Sequence, residues 1–126
     1  MSRLLSVAPV LLVRDVVAAA EYFRDCLGFG YDRLWGEPPN FCMVRRDGCT
    51  IMLSQAPASA GLVPHWRVAE GMWDAYFWVE DVDALYAEFT QRGAIIDYHL
   101  GTKEYGVREF GVQDRDDHDI AFGQIL

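Results

Sequence analysis

Asp74, Tyr76 and Trp78 stand at alternate positions of the segment Trp73-Asp74-Ala75-Tyr76-Phe77-Trp78-Val79. On a strand, that spacing puts one carboxylate and two aromatic rings on a single face, with Ala75, Phe77 and Val79 on the other. A carboxylate beside stacked rings suits a flat, partly cationic organic molecule, held by ring contact and by charge. Trp35, Trp66 and Trp73 lie in or near segments punctuated by Gly and Pro, where an indole is poorly explained by packing; Trp35 and Trp66 come from loops able to close over such a face. Nothing in the chain signals a different chemistry. There is no Gly-x-Ser-x-Gly, no CxxC, and His65, His99 and His118 stand alone.

The elements that must position these groups are legible from periodicity. Leu4–Val13 is an apolar, β-branched run broken by Ser6 and Pro9 and predicts a buried strand. Asp15 caps a helix over Val16–Cys26, where Ala19, Tyr22, Phe23 and Cys26 recur at helical spacing, and Gly28 stops it. Strands follow near Phe29–Leu34, Asn40–Arg45 and Cys49–Gln55, with Arg46-Asp47-Gly48 as a tight turn. The order then recurs: a strand over Trp73–Val79, a helix over Val82–Gln91 capped by Asp81 and burying Leu85, Tyr86 and Phe89, a stop at Gly93, and strands near Ile95–His99, Val107–Gln113 and His118–Ile125. Ala56–Gly71 reads as a linker and Gly101–Gly106 as a loop.

The recurrence extends to individual residues. Asp15 and Asp81 are 66 positions apart, as are Phe23 and Phe89, whereas Phe41 and Phe110 are 69 apart, as are Gln55 and Gln124. One three-residue length difference therefore separates two collinear copies. Two copies are too few for a solenoid, which needs at least three. They predict one α+β domain over residues 1–126 built from two βαβββ units, 4–55 and 73–125, whose halves enclose a site.

Composition narrows the function classes. A net charge of −8 over 126 residues argues against nucleic acid, which needs Lys/Arg patches; the one basic pair, Arg45-Arg46, reads as a hairpin edge. No apolar run is long enough to span a bilayer, and the first residues do not form a secretory signal. Cys26, Cys42 and Cys49, an odd set without metal spacing, read as packing residues of a protein in the reduced cytoplasm.

A duplicated βαβββ unit resembles the vicinal-oxygen-chelate superfamily of glyoxalase I, extradiol dioxygenases, fosfomycin-resistance enzymes and bleomycin-resistance proteins, and the chain is most similar to the last group. The resemblance rests on Ala8-Pro9-Val10-Leu11-Leu12-Val13-Arg14-Asp15-Val16, Tyr22-Phe23, Leu27-Gly28-Phe29, Val79 to Phe89, and Arg108-Glu109-Phe110-Gly111-Val112-Gln113-Asp114. One departure is the hairpin Asp114-Arg115-Asp116-Asp117-His118, which lacks the family's proline and glycine and makes His118 a turn residue. Metal-using relatives carry four ligands at positions that fall here on Ala8, Met52, Asp74 and Ala121. Two of these have no ligand atom and a thioether suits a hard cation poorly, so no metal and no cofactor is expected.

The resemblance implies a cup-shaped sheet. Ala8, Val10 and Leu12 would face its cavity opposite Thr50, Met52 and Ser54, and Asp74, Tyr76 and Trp78 opposite Asp119, Ala121 and Gly123. Arg108 and Glu109 are neighbours on a strand and point to opposite faces; Arg108 is the candidate for the site. The expected ligand-binding set is Trp35, Met52, Trp66, Asp74, Tyr76, Trp78, Arg108 and Asp119, with no catalytic residue. The implied function is sequestration of a small cationic or aromatic molecule, as in antibiotic resistance, by a homodimer whose cavity lies near the subunit boundary. A metal-dependent lyase, isomerase or dioxygenase is the alternative, and a metal-free enzyme using Asp74 as a general base a third.

Overall fold

The computed structural model describes residues 1–126 and builds two βαβββ units joined by a short helix. In the first, β1 (Val10–Val13) leads to helix α1 (Val16–Leu27) and strands β2 (Leu34–Trp35), β3 (Phe41–Arg46) and β4 (Cys49–Gln55). After α2 (His65–Val68), the second has β5 (Ala75–Trp78), α3 (Val82–Arg92), β6 (Ile95–Thr102), β7 (Val107–Gln113) and β8 (Asp119–Ile125). The sheets have the same order, β1-β4-β3-β2 and β5-β8-β7-β6, and neither closes into a barrel. No helix is long and apolar enough to cross a membrane.

The repeated residues do the same work in each copy. Asp15 accepts from the backbone N–H groups of Val17 and Ala18, and Asp81 from that of Ala84, so each satisfies a free donor at its helix start. Gln55 ends β4 and accepts from Val16 N at 3.0 Å, and Gln124 on β8 accepts from Val82 N at 3.0 Å. The echoed glutamines thus fasten the last strand of each unit to its helix. Phe23 and Phe89 are wholly buried in a core to which both units contribute, with Phe29 against Phe77 across the boundary at 6.0 Å. The units are also bonded to each other. The Tyr22 hydroxyl donates to Gln113 O and accepts from Ile95 N. Arg46, far from a mere hairpin edge, makes a bidentate pair with Glu88 at 2.8 Å for both contacts.

The helical side of both sheets is therefore the shared interior, and the opposite faces lie outside that core. Several sequence expectations change accordingly. Only Val10–Val13 of the Leu4–Val13 run is a strand; Leu4, Leu5 and Val7 stand fully exposed because pairing with β4 begins at Val10↔Met52 and Pro9 has no N–H to extend it. The strand expected over Phe29–Leu34 shrinks to Leu34–Trp35 and a bridge from Gly30 to Arg45. The Ala56–Gly71 linker contains α2, and β6 runs on into the expected loop as far as Thr102. Leu85 and Tyr86 are only half-buried, Cys42 alone of the cysteines is a buried packing residue, and Cys49 is exposed.

Candidate functional site

The outer face of the second sheet is a wall of aromatic rings. Strand alternation turns Phe77 into the core and Tyr76 and Trp78 outward, with Trp73 just before the strand. Tyr76 packs between Trp73 and Trp78, with ring centroids 4.8 Å apart on each side. Tyr105, from the β6–β7 turn, completes a hollow of about 380 Å³ lined by Trp73, Tyr76, Trp78 and Tyr105. Trp78 is 61% exposed. Large rings held in the open by a strand, outside any core, are a feature of binding surfaces.

Two glycines let the rings lie flat on the sheet. A Cβ on Gly123 would stand 2.0 Å from the Tyr76 hydroxyl, and one on Gly111 2.3 Å from Cε1 of Tyr98. Behind the wall sits Glu109, only 1% exposed. Its carboxylate accepts hydrogen bonds from the hydroxyls of Tyr76 at 3.2 Å, Tyr98 and Tyr105, and Tyr98 in turn accepts from Trp73 Nε1 at 3.0 Å. Burial and the Glu109 carboxylate push the Tyr105 hydroxyl up to about 12, and the same causes raise Tyr76 and Tyr98, so all three remain protonated donors.

Of the sequence-predicted residues, Tyr76 and Trp78 come together on this wall. Arg108 lies on the other side of β7, where its guanidinium pairs with Asp83 at 2.9 Å. Glu109, on the facing side, is the group that joins the rings. The sequence carried a signal for this. Phe110 and Val112 are core residues, which fixes the face of Glu109 and Gly111 as the opposite one. Trp73, Tyr98 and Tyr105 were harder to place, since only tertiary folding joins them to β5 and β7.

Asp74 is not free to meet a ligand. Its carboxylate accepts from His65 N at 3.0 Å and Asp119 N at 2.9 Å, tying α2 to the start of β8. Asp119 is itself buried and accepts from Gln113 Nε2 at 2.9 Å. Trp66 donates from Nε1 to Asp117 O at 2.7 Å and so leans on the β7–β8 hairpin instead of closing over the wall. That hairpin is held by Asp114, which accepts from the backbone N–H groups of Asp116 and His118 and pairs with the His118 ring at 2.8 Å. His118 is thus a buried anchor as well as a turn residue: burial opposes its charge, but Asp114 outweighs this and raises its pKa. Trp35 and Met52 belong to the first sheet. Trp35 lies under the Arg33 guanidinium at 3.5 Å and lines a separate small hollow with Met43 and Arg45.

The Asp119 carboxyl is pushed up to about 6 by burial, opposed by Gln113 and reinforced by the charges of Asp97 and Asp74. A folded-state pKa above the unfolded one means the folded chain binds more protons between roughly pH 4 and 6, so stability falls as pH rises through that window. Asp119→Asn, which keeps an acceptor for Gln113, is expected to stabilise the protein by on the order of 1–2 kcal/mol at pH 7.5 and negligibly at pH 4. Denaturant melts at the two pH values check this; equal effects at both would contradict it.

The positions that would carry a metal do not fit one. Met52 sits opposite Val10, Ala121 opposite Tyr76, and the Asp74 carboxylate is committed to two backbone donors. Nowhere do three or more His, Cys, Asp or Glu side chains converge in a way that would hold an ion. A second crevice of about 380 Å³ between the units is lined in part by Phe77, Phe89 and Phe122, rings already used in the core.

Two βαβββ units of this order define the class, and the sequence pattern of the Glyoxalase/Bleomycin resistance protein/Dioxygenase superfamily matches residues 3–122. The chain belongs to that superfamily. Among solved structures it is similar to the bleomycin-binding protein of bleomycin-producing Streptomyces verticillus complexed with copper(II)-bleomycin, at 29% identity and a TM-score of 0.72 over 97% of each chain. TioX from Micromonospora sp. ML1 shares the fold at 21% identity and a TM-score of 0.73, covering 94% of this chain and 97% of that one. A superfamily protein from Alicyclobacillus acidocaldarius does so at 16% and 0.76, covering 95% and 90%. No curated protein matches the chain.

Proposed function

We propose that this protein binds a cationic or aromatic organic molecule in the manner of bleomycin-resistance proteins, without a metal, in a cavity completed by a second copy of the chain. The observation that carries the reading is the wall of Trp73, Tyr76, Trp78 and Tyr105, which lines an open hollow outside the core with Trp78 and Tyr105 exposed. Likeness over nearly the full length to a bleomycin-binding protein supports the ligand class. The donor set at the metal positions supports a metal-free site. No residue arrangement favours the lyase, isomerase or dioxygenase alternative.

Dimerisation is supported by what one copy leaves open. The hollow on the second sheet is lined by that unit alone, and so is the smaller one on the first. Leu4, Leu5, Val7, Val10, Leu12 and Ile125 are exposed as well. Apolar surface of this extent is what a two-fold partner covers, and a stable interface buries more than about 1,000 Å² in total. Light scattering at micromolar concentration is expected to give a dimer. A thermal-shift screen of cationic glycopeptides and planar aromatic compounds is expected to find ligands that raise the melting temperature, because binding to the folded state stabilises it by mass action. A monodisperse monomer that no compound of either class stabilises would refute the proposal.

A further inference from the structure

Glu109 is a carboxylate sealed behind the aromatic wall with no salt-bridge partner. Every ion pair in the chain lies elsewhere. Its partners are three neutral phenols, which fix its position without forming an ion pair with it. In the dry space behind the rings that charge is screened far less than a surface carboxylate's. A phenol that donates to an anion also gains electron density in its ring, so the outer faces of Tyr76 and Tyr105 become better seats for positive charge.

We propose that Glu109 makes the wall a subsite for a compact organic cation, an alkylammonium or quaternary ammonium group, which it attracts through the tyrosine rings without touching it. This rests on the binding-protein reading and narrows its ligand class from cationic or aromatic to cationic. Two features select an organic cation. The carboxylate oxygens are occupied by hydroxyl hydrogens and hidden from solvent, so a metal ion has no access to them. The chain's single lysine, Lys103, already rests its ammonium 5.0 Å from the centroid of the Tyr98 ring, a member of the same cluster. An ammonium beside a phenol ring that donates to Glu109 is therefore a contact the fold itself makes.

The test compares choline with 3,3-dimethylbutan-1-ol, a neutral molecule of nearly the same shape, by tryptophan fluorescence titration of the full chain. Wild type is expected to bind choline about tenfold more tightly than the alcohol. Glu109→Gln should remove that preference by weakening choline alone. Lys103→Met, at a half-buried position between β6 and β7, should strengthen choline about threefold by removing a competing cation, and leave the alcohol unchanged. If Glu109→Gln does not fold, the Lys103 variant still decides. Equal affinity for the two probes, no choline binding, or a preference unmoved by either variant overturns the inference. Such a result alongside compounds that still raise the melting temperature would leave the binding-protein reading standing.

Discussion

Replacing Trp78 by alanine is expected to weaken ligand binding about tenfold or more while leaving the fold and its melting temperature nearly unchanged. An aromatic platform under a ring is typically worth roughly 1–3 kcal/mol, which corresponds to that loss. The protein keeps its stability because Trp78 contributes little to it: the ring is 61% exposed, and its aromatic neighbour is Tyr76, tilted 54° from it. Affinity measured by calorimetry and stability by thermal melt separate the two effects. A drop in melting temperature as large as a core truncation gives would assign Trp78 to packing and remove the wall's outer platform from the account.

The second large effect is expected from a single added methyl group. Gly123→Ala would place its Cβ 2.0 Å from the Tyr76 hydroxyl and 2.9 Å from both Cζ of Tyr76 and Cγ1 of Val107. No rotation relieves a contact with a ring that must lie flat, so Tyr76 has to leave the sheet and its bond to Glu109. Overpacking of this kind costs about 1–3 kcal/mol. Loss of the ring from the wall should abolish ligand stabilisation at the same time. Gly30→Ala, where an added Cβ meets nothing within 4 Å, is the control and is expected to be nearly neutral. Equal behaviour of the two variants would mean that the flat packing of Tyr76 on Gly123 has no functional weight.

The fold was legible in the sequence where the cause of a structure is local or repeated. Asp15 and Asp81 could be recognised as caps because a helix start needs an acceptor within two or three residues, and that need recurs wherever a helix begins. Gln55 and Gln124 were visible as an echo, although their task of reaching back to the helix N–H groups appears only in three dimensions. The Leu4–Val7 segment misled for the opposite reason. Apolar composition predicts that a run will be covered but does not say by which chain, and within one copy nothing covers it.

The site was harder to see, for reasons that differ by residue. Alternation placed Tyr76 and Trp78 on one face of β5 correctly, because a period of two needs no knowledge of partners. It also put Asp74 on that face, but could not foresee that two backbone N–H groups would take up its carboxylate. Arg108 and Glu109 could be assigned to opposite faces of one strand, but alternation does not say which of the two meets a ligand, and a buried charge needs partners from other strands. Those partners are Tyr76, Tyr98 and Tyr105, on β5, β6 and the β6–β7 turn. A carboxylate held by three phenols is a tertiary object with no sequence motif.

The measurement that bears most directly on the central claim is a calorimetric titration of chelator-treated protein with the compound that most raises its melting temperature. Metal-free binding to the aromatic wall predicts one ligand per chain, with an affinity unchanged by the chelator or by added zinc, nickel, manganese or iron. Binding that appears only when one of those ions is restored would contradict it.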